Sequence, residues 1–509
     1  MVEGGREGGR PRHVIRVWPI NPPNAYAVLT MNPVTNEVVY EVQEPTLSEE
    51  EVKVLAEIKN HLVETLDVTL SSFKDEKDAI EYLKERMRDV IKQYRLPVKE
   101  NFEKLAYYIV RDFIGYGKID VLMRDPLIED ISCNGVGLPI YVWHRDYESL
   151  PTNVVFDDER ELDSFVIRLA HRAGRMITLA NPILDASLPD GSRIQLTLGG
   201  QVTRHGSTFT IRKFRRDLLT IVDLIRLNTL SAEIAALLWF LIENRISVLV
   251  CGGAASGKTT LLNCLSNFIK PDLKIVTIED TPELQLYHKN WVRSVTRPAY
   301  TSSAREITLF DLLKAAVRQR PDYIIVGEIR GEEAYTLFQA ISIGHLAMAT
   351  IHADSVIAAI RRLENPPMNI PRNLIAQLNI ATVQTRVEKN GLPARRTKVI
   401  TEIVGLDYKT KDILMNDIYR WDPRTDSFVF TGRCITFERV AKNLGMTISE
   451  AWREIERRKR ILEWMVKKNL RRFDQVAEII RSYAYSPELV FSRVSVEESL
   501  DEDEGRTGA

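Results

Sequence analysis

The stretch "CGGAASGKTTLLN", residues 251–263, constrains this chain more than any other. Gly252, Gly257, Lys258 and Thr259 fit G-x-x-x-x-G-K-[ST], a loop whose backbone N–H groups cradle phosphates. The flanks suit it. "ISVLVC" before the loop is short, apolar and rich in β-branched residues, as a buried parallel strand requires. After it, Leu261, Leu262, Leu265, Phe268 and Ile269 recur at helical spacing. The glycines therefore sit on a strand-to-helix turn, where the free N–H groups and the helix dipole attract an anion. Gly252, Gly253, Ala254, Ala255, Ser256, Gly257, Lys258, Thr259 and Thr260 form the predicted cradle. Lys258 is placed to bridge the β- and γ-phosphates of ATP and the Thr259 hydroxyl to ligate Mg²⁺. Kinases, GTPases, helicases, transporters and export motors all share this loop, so its use must be read elsewhere.

Two further apolar runs end in carboxylates. "PDYIIVGEIRG", 321–331, reads as a buried strand followed by Glu328, and "KIVTIEDTPELQL", 274–286, as another that ends in Glu279, Asp280 and Glu283. In parallel α/β sheets, ligands bind beyond the carboxyl ends of the strands. Glu279 and Glu328 thus reach one sheet edge, where one orients and deprotonates a water and the other holds metal, the sequence leaving the two roles unassigned. Gly327 stands where many phosphate-loop enzymes place an Asp, which shifts weight to Glu328 acting through water. "GHLAMATIHADS", 344–355, brackets a strand-like run with His345 and His352, both candidates to approach the γ-phosphate. Arg318, Arg320 and Arg330 flank the Glu328 segment.

The alternation of strand-like and helical runs from 246 to 350 predicts a mainly parallel sheet with helices on its faces. Residues 381–430 read as short β segments with an antiparallel pattern, and Thr447 to Glu450 as a capping box that opens a helix to about 467. Upstream, 101–213 reads as a small α+β domain, 214–230 as a linker, 1–100 as an N-terminal region with helices near 47–66 and 76–95, and 496–509 as a loose acidic tail. The fold class expected is therefore an α/β phosphate-loop ATPase domain, 231–495, behind a smaller α+β domain and a helical region.

Charge narrows the class. Lys and Arg total 69 against 70 Asp and Glu, without the basic excess of a dedicated nucleic-acid protein. The cysteines Cys133, Cys251, Cys264 and Cys434 form no C-x-x-C pair, so neither zinc nor a disulfide framework is expected. "MVEGGREGGRPRH" has no apolar signal segment, and "IAALLWFLI" falls far short of the roughly 20 residues that span a bilayer. The chain reads as cytoplasmic, at most peripheral to the inner face of the membrane.

The ordered set of phosphate loop, "TIEDTPE", "VGEIRG" and "GHLAMATIHADS" resembles the type II/type IV secretion ATPase superfamily, over about residues 101–430. In that family the three later segments are the Asp box, Walker B and His box. The resemblance implies a RecA-like ATPase domain behind a PAS-like N-terminal domain, and a homo-hexameric ring. It also implies ATP hydrolysis coupled through a polytopic membrane platform protein to secretion or to assembly of pilin-like filaments, pili or archaella, with no nucleic acid. It implies that arginines of the N-terminal domain reach the phosphates; Arg193 in "DGSRI" and Arg212 in "FTIRKF" match those positions, with Arg204 as an alternative. The competing readings are a RecA-like nucleic-acid translocase, which predicts stimulation by polynucleotide, and a nucleotide-gated scaffold without turnover, which the two acids disfavour.

Overall fold

The computed structural model describes residues 12–66, 75–98, 101–214, 218–297, 305–389 and 391–507. The chain divides into two compact units, Met1–Arg216 and Asp217–Ala509.

Unit one is built on a nine-stranded sheet, in the order β1-β2-β3-β6-β5-β4-β9-β8-β7. Its strands are β1 (His13–Asn21), β2 (Ala25–Met31), β3 (Val38–Gln43), β4 (Ile128–Cys133), β5 (Pro139–His144), β6 (Glu148–Val155), β7 (Ile183–Ser187), β8 (Arg193–Thr197) and β9 (Thr208–Arg212). Its helices are α1 (Glu49–Thr65), α2 (Glu76–Tyr94), α3 (Phe102–Phe113), α4 (Asp120–Arg124) and α5 (Glu159–Arg172). Local chemistry sets their ends: Ser48 and Glu51 close a capping box on α1, and Leu55, Ile58 and Leu62 form its buried stripe. The sheet runs across the border expected near residue 100. β3 joins β6 in parallel at Tyr40 and Thr152, and the Tyr40 hydroxyl donates to Asp125 Oδ2 at 2.6 Å, an oxygen that also accepts from Trp18 Nε1 at 3.1 Å. Asp125 is fully buried, so these two donors compensate its desolvation and staple the first three strands to the domain behind.

Unit two carries the second sheet, β12-β11-β13-β14-β10-β15-β16-β17-β18. The strands are β10 (Val248–Gly252), β11 (Ile275–Glu279), β12 (Trp291–Val295), β13 (Tyr323–Val326), β14 (Leu346–His352), β15 (Ile380–Lys389), β16 (Leu392–Leu406), β17 (Ile413–Asp422) and β18 (Ser427–Phe430). From β12 to β15 they pair in parallel, and from β15 to β18 antiparallel. Both faces are covered, and β10 shows how. Val248 and Val250 enter one core, formed with α6 (Ile221–Arg226), α7 (Ala232–Glu243) and α8 (Lys258–Ser266); Leu249 and Cys251 enter the other, formed with α9 (Leu309–Arg318), α10 (Glu333–Ser342), α11 (Val356–Glu364) and α12 (Arg372–Ile375). That is why the sequence there is apolar throughout rather than alternating.

The helices α13 (Ile435–Asn443), α14 (Ile448–Lys467), α15 (Phe473–Tyr485) and α16 (Pro487–Thr507) close the first of these cores. The capping box of Thr447 and Glu450 opens α14 as the sequence predicts. Two expectations change. Residues 221–226, inside the expected linker, are helical because Thr220 and Asp223 cap them and Ile221, Val222 and Leu224 are buried. The acidic stretch from 496, expected loose, continues α16 as far as Thr507. The run "IAALLWFLI" is the buried helix α7, apolar on all sides because all sides are covered. Among the described residues, no helix is long and apolar enough to cross a membrane.

Trp239 lies at the centre of this packing. It stacks on Phe268 with centroids 5.4 Å apart, meets Tyr483 edge-on and takes the Arg458 guanidinium over its ring. Trp239→Ala is expected to destabilise unit two by about 3–5 kcal/mol, read as a fall in the urea midpoint of its unfolding transition.

Candidate active site

The parallel register brings the chemistry to one edge. Gly252 of β10 pairs with His352 of β14 on one side and Gln384 of β15 on the other. Ile278 pairs with Val326, so Glu279 ends β11 beside Gly327, and Glu328 follows. The phosphate-loop strand is separated from the Glu328 strand by β14, and the Glu279 strand lies one further out.

The loop is shaped by steric need. A Cβ on Gly252 would lie 2.4 Å from Ser256 Oγ and 2.7 Å from the Gln384 carbonyl, so no side chain fits there. Gly257 opens α8 at φ 87°, in the left-handed region that glycine enters at least cost. Ser256 Oγ and Lys258 Nζ both donate to the Gly253 carbonyl, at 2.9 and 2.7 Å. Thr259 and Thr260 begin the helix and are half-buried, while Ala254 and Ala255 are exposed on the rim. Cys251 and Cys264 are buried beside the loop, and burial pushes the Cys251 thiol up to about 12, so it acts as a filler.

Glu279 and Glu328 occupy contrasting surroundings. Glu279 is 2% exposed. Its Oε1 accepts from the backbone N–H groups of Glu283 and Leu284 at 2.8 and 2.9 Å, while Oε2 is buried without a hydrogen-bond partner. Burial pushes its carboxyl up to about 7; the two backbone donors and Arg293 act the other way and are outweighed. Glu328 is half-buried, and burial alone would raise it. The hydrogen bond and charge of Arg330, helped by Lys258 and His352, outweigh that and hold it below the usual carboxylate range. One acid is poised to take a proton near neutrality, and its neighbour stays ionised.

Gly327 now has a physical reason. A Cβ there would stand 3.3 Å from Glu279 Cγ, so the bare glycine is what lets Glu279 pack across the end of β13. A side chain at 327 would crowd Glu279 and require it to give by a few tenths of an ångström. Thr350 Oγ1 donates to the Gly327 carbonyl at 2.6 Å and fixes it. The sequence reading missed Asn263 and Asn267. Four residues apart on and just after α8, they accept from the N–H groups of Gln285 and Tyr287 and so tie the loop after Glu279 to the phosphate-loop helix. Their spacing is the only sequence sign of that role, and it is a common one.

The histidines separate. His352 ends β14 at the edge carrying Glu328. His345 precedes the same strand, seven residues earlier, so at the usual rise it lies about 20 Å away, at the opposite edge. Its ring nitrogen pairs with the Pro321 carbonyl at 2.9 Å and its N–H with Ala340. His345 is thus a strand-entry residue, withdrawn from the phosphate site. The same topology moves Arg318 and Arg320 away: α9 ends before β13 begins, so only Arg330 of the three stands beside Glu328.

In unit one, Arg193 of β8 and Arg212 of β9 pair directly across the antiparallel ladder, despite a sequence separation of 19 residues. Direct partners across an antiparallel ladder share one face, and on its other side Arg212 stands opposite Asp130 of β4. Arg204 lies in the exposed loop between these strands. A cavity of about 260 Å³ opens beyond the C-terminal end of α8, between Phe268, His288 and Arg481; it contains no phosphate-loop residue.

Residues 122–397, over half the chain, match the family model described as Type II/IV secretion system protein. The chain belongs to that family. It is 41% identical over 388 residues to the uncharacterized protein MJ0900 of Methanocaldococcus jannaschii, covering 75% of this chain and 70% of that one. It is 35% identical over 201 residues to the probable conjugal transfer protein TrbB of Sinorhizobium fredii, covering 38% and 59%. Among solved structures, the VirB11 ATPase of the Brucella suis type IV secretion system is 25% identical over 54% of this chain and 92% of that one, with a TM-score of 0.28. The Legionella pneumophila ATPase DotB is 16% identical over 71% and 94%, with a TM-score of 0.42.

The raised carboxyl of Glu279 has a stability consequence with a definite sign. Its folded value lies above its unfolded one, so its favourable contribution is complete below about pH 4.5 and is lost as pH rises through about 7. Glu279→Gln is therefore expected to gain on wild type between pH 5 and pH 8, by up to about 3 kcal/mol, in urea unfolding followed at both pH values.

Proposed function

We propose that this chain is an ATP hydrolase that works as a homo-hexameric motor. Through a polytopic membrane platform protein, it powers protein secretion or the assembly of pilus- or archaellum-like filaments. The observation that carries the hydrolytic reading is the packing of Glu279 against Gly327, which sets two acids of opposite character at the strand-end edge that also carries the phosphate loop. The motor reading rests on membership of the secretion family and on a relative named for conjugal transfer.

In this reading the loop N–H groups and Lys258 hold the β- and γ-phosphates, Lys258 leaving the Gly253 carbonyl to do so. Glu279 orients the attacking water and accepts its proton on Oε2, the buried atom without a partner. Thr259 and the ionised Glu328 form an all-oxygen donor set suited to Mg²⁺, which when bound neutralises phosphate charge. His352, at the same edge, is placed to register loss of the γ-phosphate. Arg193 and Arg212, direct partners across the β8–β9 ladder, are assigned to the phosphates during turnover, where planar guanidinium donors suit phosphate oxygens. The location that follows is the cytoplasmic side of the membrane.

Steady-state phosphate release tests this. Lys258→Ala is expected to lower turnover at least about 100-fold with unchanged far-UV circular dichroism. Chelation of Mg²⁺ should abolish release and added Mg²⁺ restore it. Wild-type turnover in Lys258→Ala would remove the site assignment, and strong stimulation by single-stranded DNA would transfer the motor to the nucleic-acid class.

A further inference from the structure

The hairpin of β15 and β16 reaches the phosphate loop, and nothing in the motif pattern points to it. Arg395 of β16 donates from Nε to the Ala255 carbonyl over a long 3.4 Å, and its Cγ lies 3.7 Å from where a Cβ on Gly257 would stand. Ala255 is held at φ 54°, a left-handed conformation that is unfavourable for a non-glycine residue. Arg395 therefore braces the strained crest of the loop from outside, on a carbonyl, and leaves the inward N–H groups to the phosphates.

The next two residues are anchored elsewhere. Arg396 is 4% exposed and grips Asp426 through two bonds, Nε to Oδ1 at 2.7 Å and Nη2 to Oδ2 at 2.8 Å, while Nη1 donates to the Leu227 carbonyl at 3.1 Å. The Thr397 N–H donates to the Thr229 carbonyl at 2.7 Å. Asn228 closes the set by donating to the Asp426 carbonyl at 2.8 Å. Three consecutive residues thus join the phosphate loop to the segment 227–229, which directly follows α6, the first helix of unit two. A bidentate, buried arginine makes this connection stiff.

We propose that Arg395 is a positioning residue of the phosphate loop, and that residues 395–397 transmit the position of segment 227–229 to the loop and so set its affinity for nucleotide. The proposal rests on the loop being the nucleotide site. In it, a displacement of α6 and the turn after it withdraws Arg395 from Ala255, relaxes the crest and releases nucleotide.

The test combines binding of a fluorescent ADP analogue carrying a methylanthraniloyl group with ATP hydrolysis. Arg395→Ala is expected to raise the analogue's Kd and the ATP KM about tenfold each, and to lower kcat by less than about threefold. Arg395→Lys, which keeps a cationic donor on a long stem, should recover part of the affinity. Asp426→Ala lies outside the loop, removes the two bonds that clamp Arg396 while leaving its bond to Leu227, and should raise the Kd several-fold, read beside its nucleotide-free thermal midpoint. The nucleotide-free thermal midpoint separates loop positioning from general damage: Arg395→Ala should leave it within about 2 °C of wild type. Binding by Arg395→Ala within about twofold of wild type would overturn the proposal, and unaltered binding by Asp426→Ala would overturn the transmission. In either case the hydrolytic reading survives if Lys258→Ala has lost turnover. If wild type neither binds nor hydrolyses nucleotide, both fall.

Discussion

The close passage of Gly252 beneath Ser256 and past the Gln384 carbonyl is the constraint on which the rest of the second unit depends. It requires β10 to be sandwiched between two parallel partners, β14 and β15, and to stop where the loop must turn back over its own end. Once β10 is fixed this way, parallel register delivers the ends of β11, β13 and β14 to the same edge, and the acids at or just past these ends share that edge with the loop. The two apolar cores above and below the sheet give this edge its rigidity. A site that binds charge can be held still only by a scaffold that does not itself move.

Within that frame, glycine and glutamate trade places in an unusual way. At Gly327 the missing side chain makes room for Glu279, so one strand supplies space and its neighbour supplies the carboxylate. Glu279 loses water by this and becomes harder to ionise; Glu328, in the company of Arg330, does not. In the proposed mechanism, the division of labour left open by composition and spacing is assigned from burial. Asn263 and Asn267 extend the same logic, since they lock the chain after Glu279 to the helix that starts at Lys258.

Much of this is legible in the amino-acid sequence. The apolar runs at 246–251, 274–278, 323–327 and 346–350 became parallel strands because burial on both faces leaves no room for polar alternation. Glu279 and Glu328 are legible as candidates because they lie at or just past strand ends, and Lys258 because it opens the helix after the loop; there local sequence and topology say the same thing. The strand-like run between His345 and His352 is the strand β14, and because the two histidines stand at its two ends they lie at opposite edges of the sheet, which bracketing alone does not convey. The joining of β1–β3 to the sheet behind them depends on Tyr40, Trp18 and Asp125, residues 85 and 107 positions apart in their pairings, and no local pattern announces such contacts. Arg395 was invisible for the same reason: its contact with Ala255 spans 140 residues.

The central claim is that Glu279 and Glu328 act as one unit on one phosphate. Phosphate-release rates for Glu279→Gln, Glu328→Gln and the double variant, measured under identical Mg²⁺ and ATP, test it most directly. Groups that serve a single transition state are strongly non-additive, so the double variant should be no more than about threefold slower than the slower single one. Independent effects that multiply, or wild-type turnover in either single variant, would contradict the account.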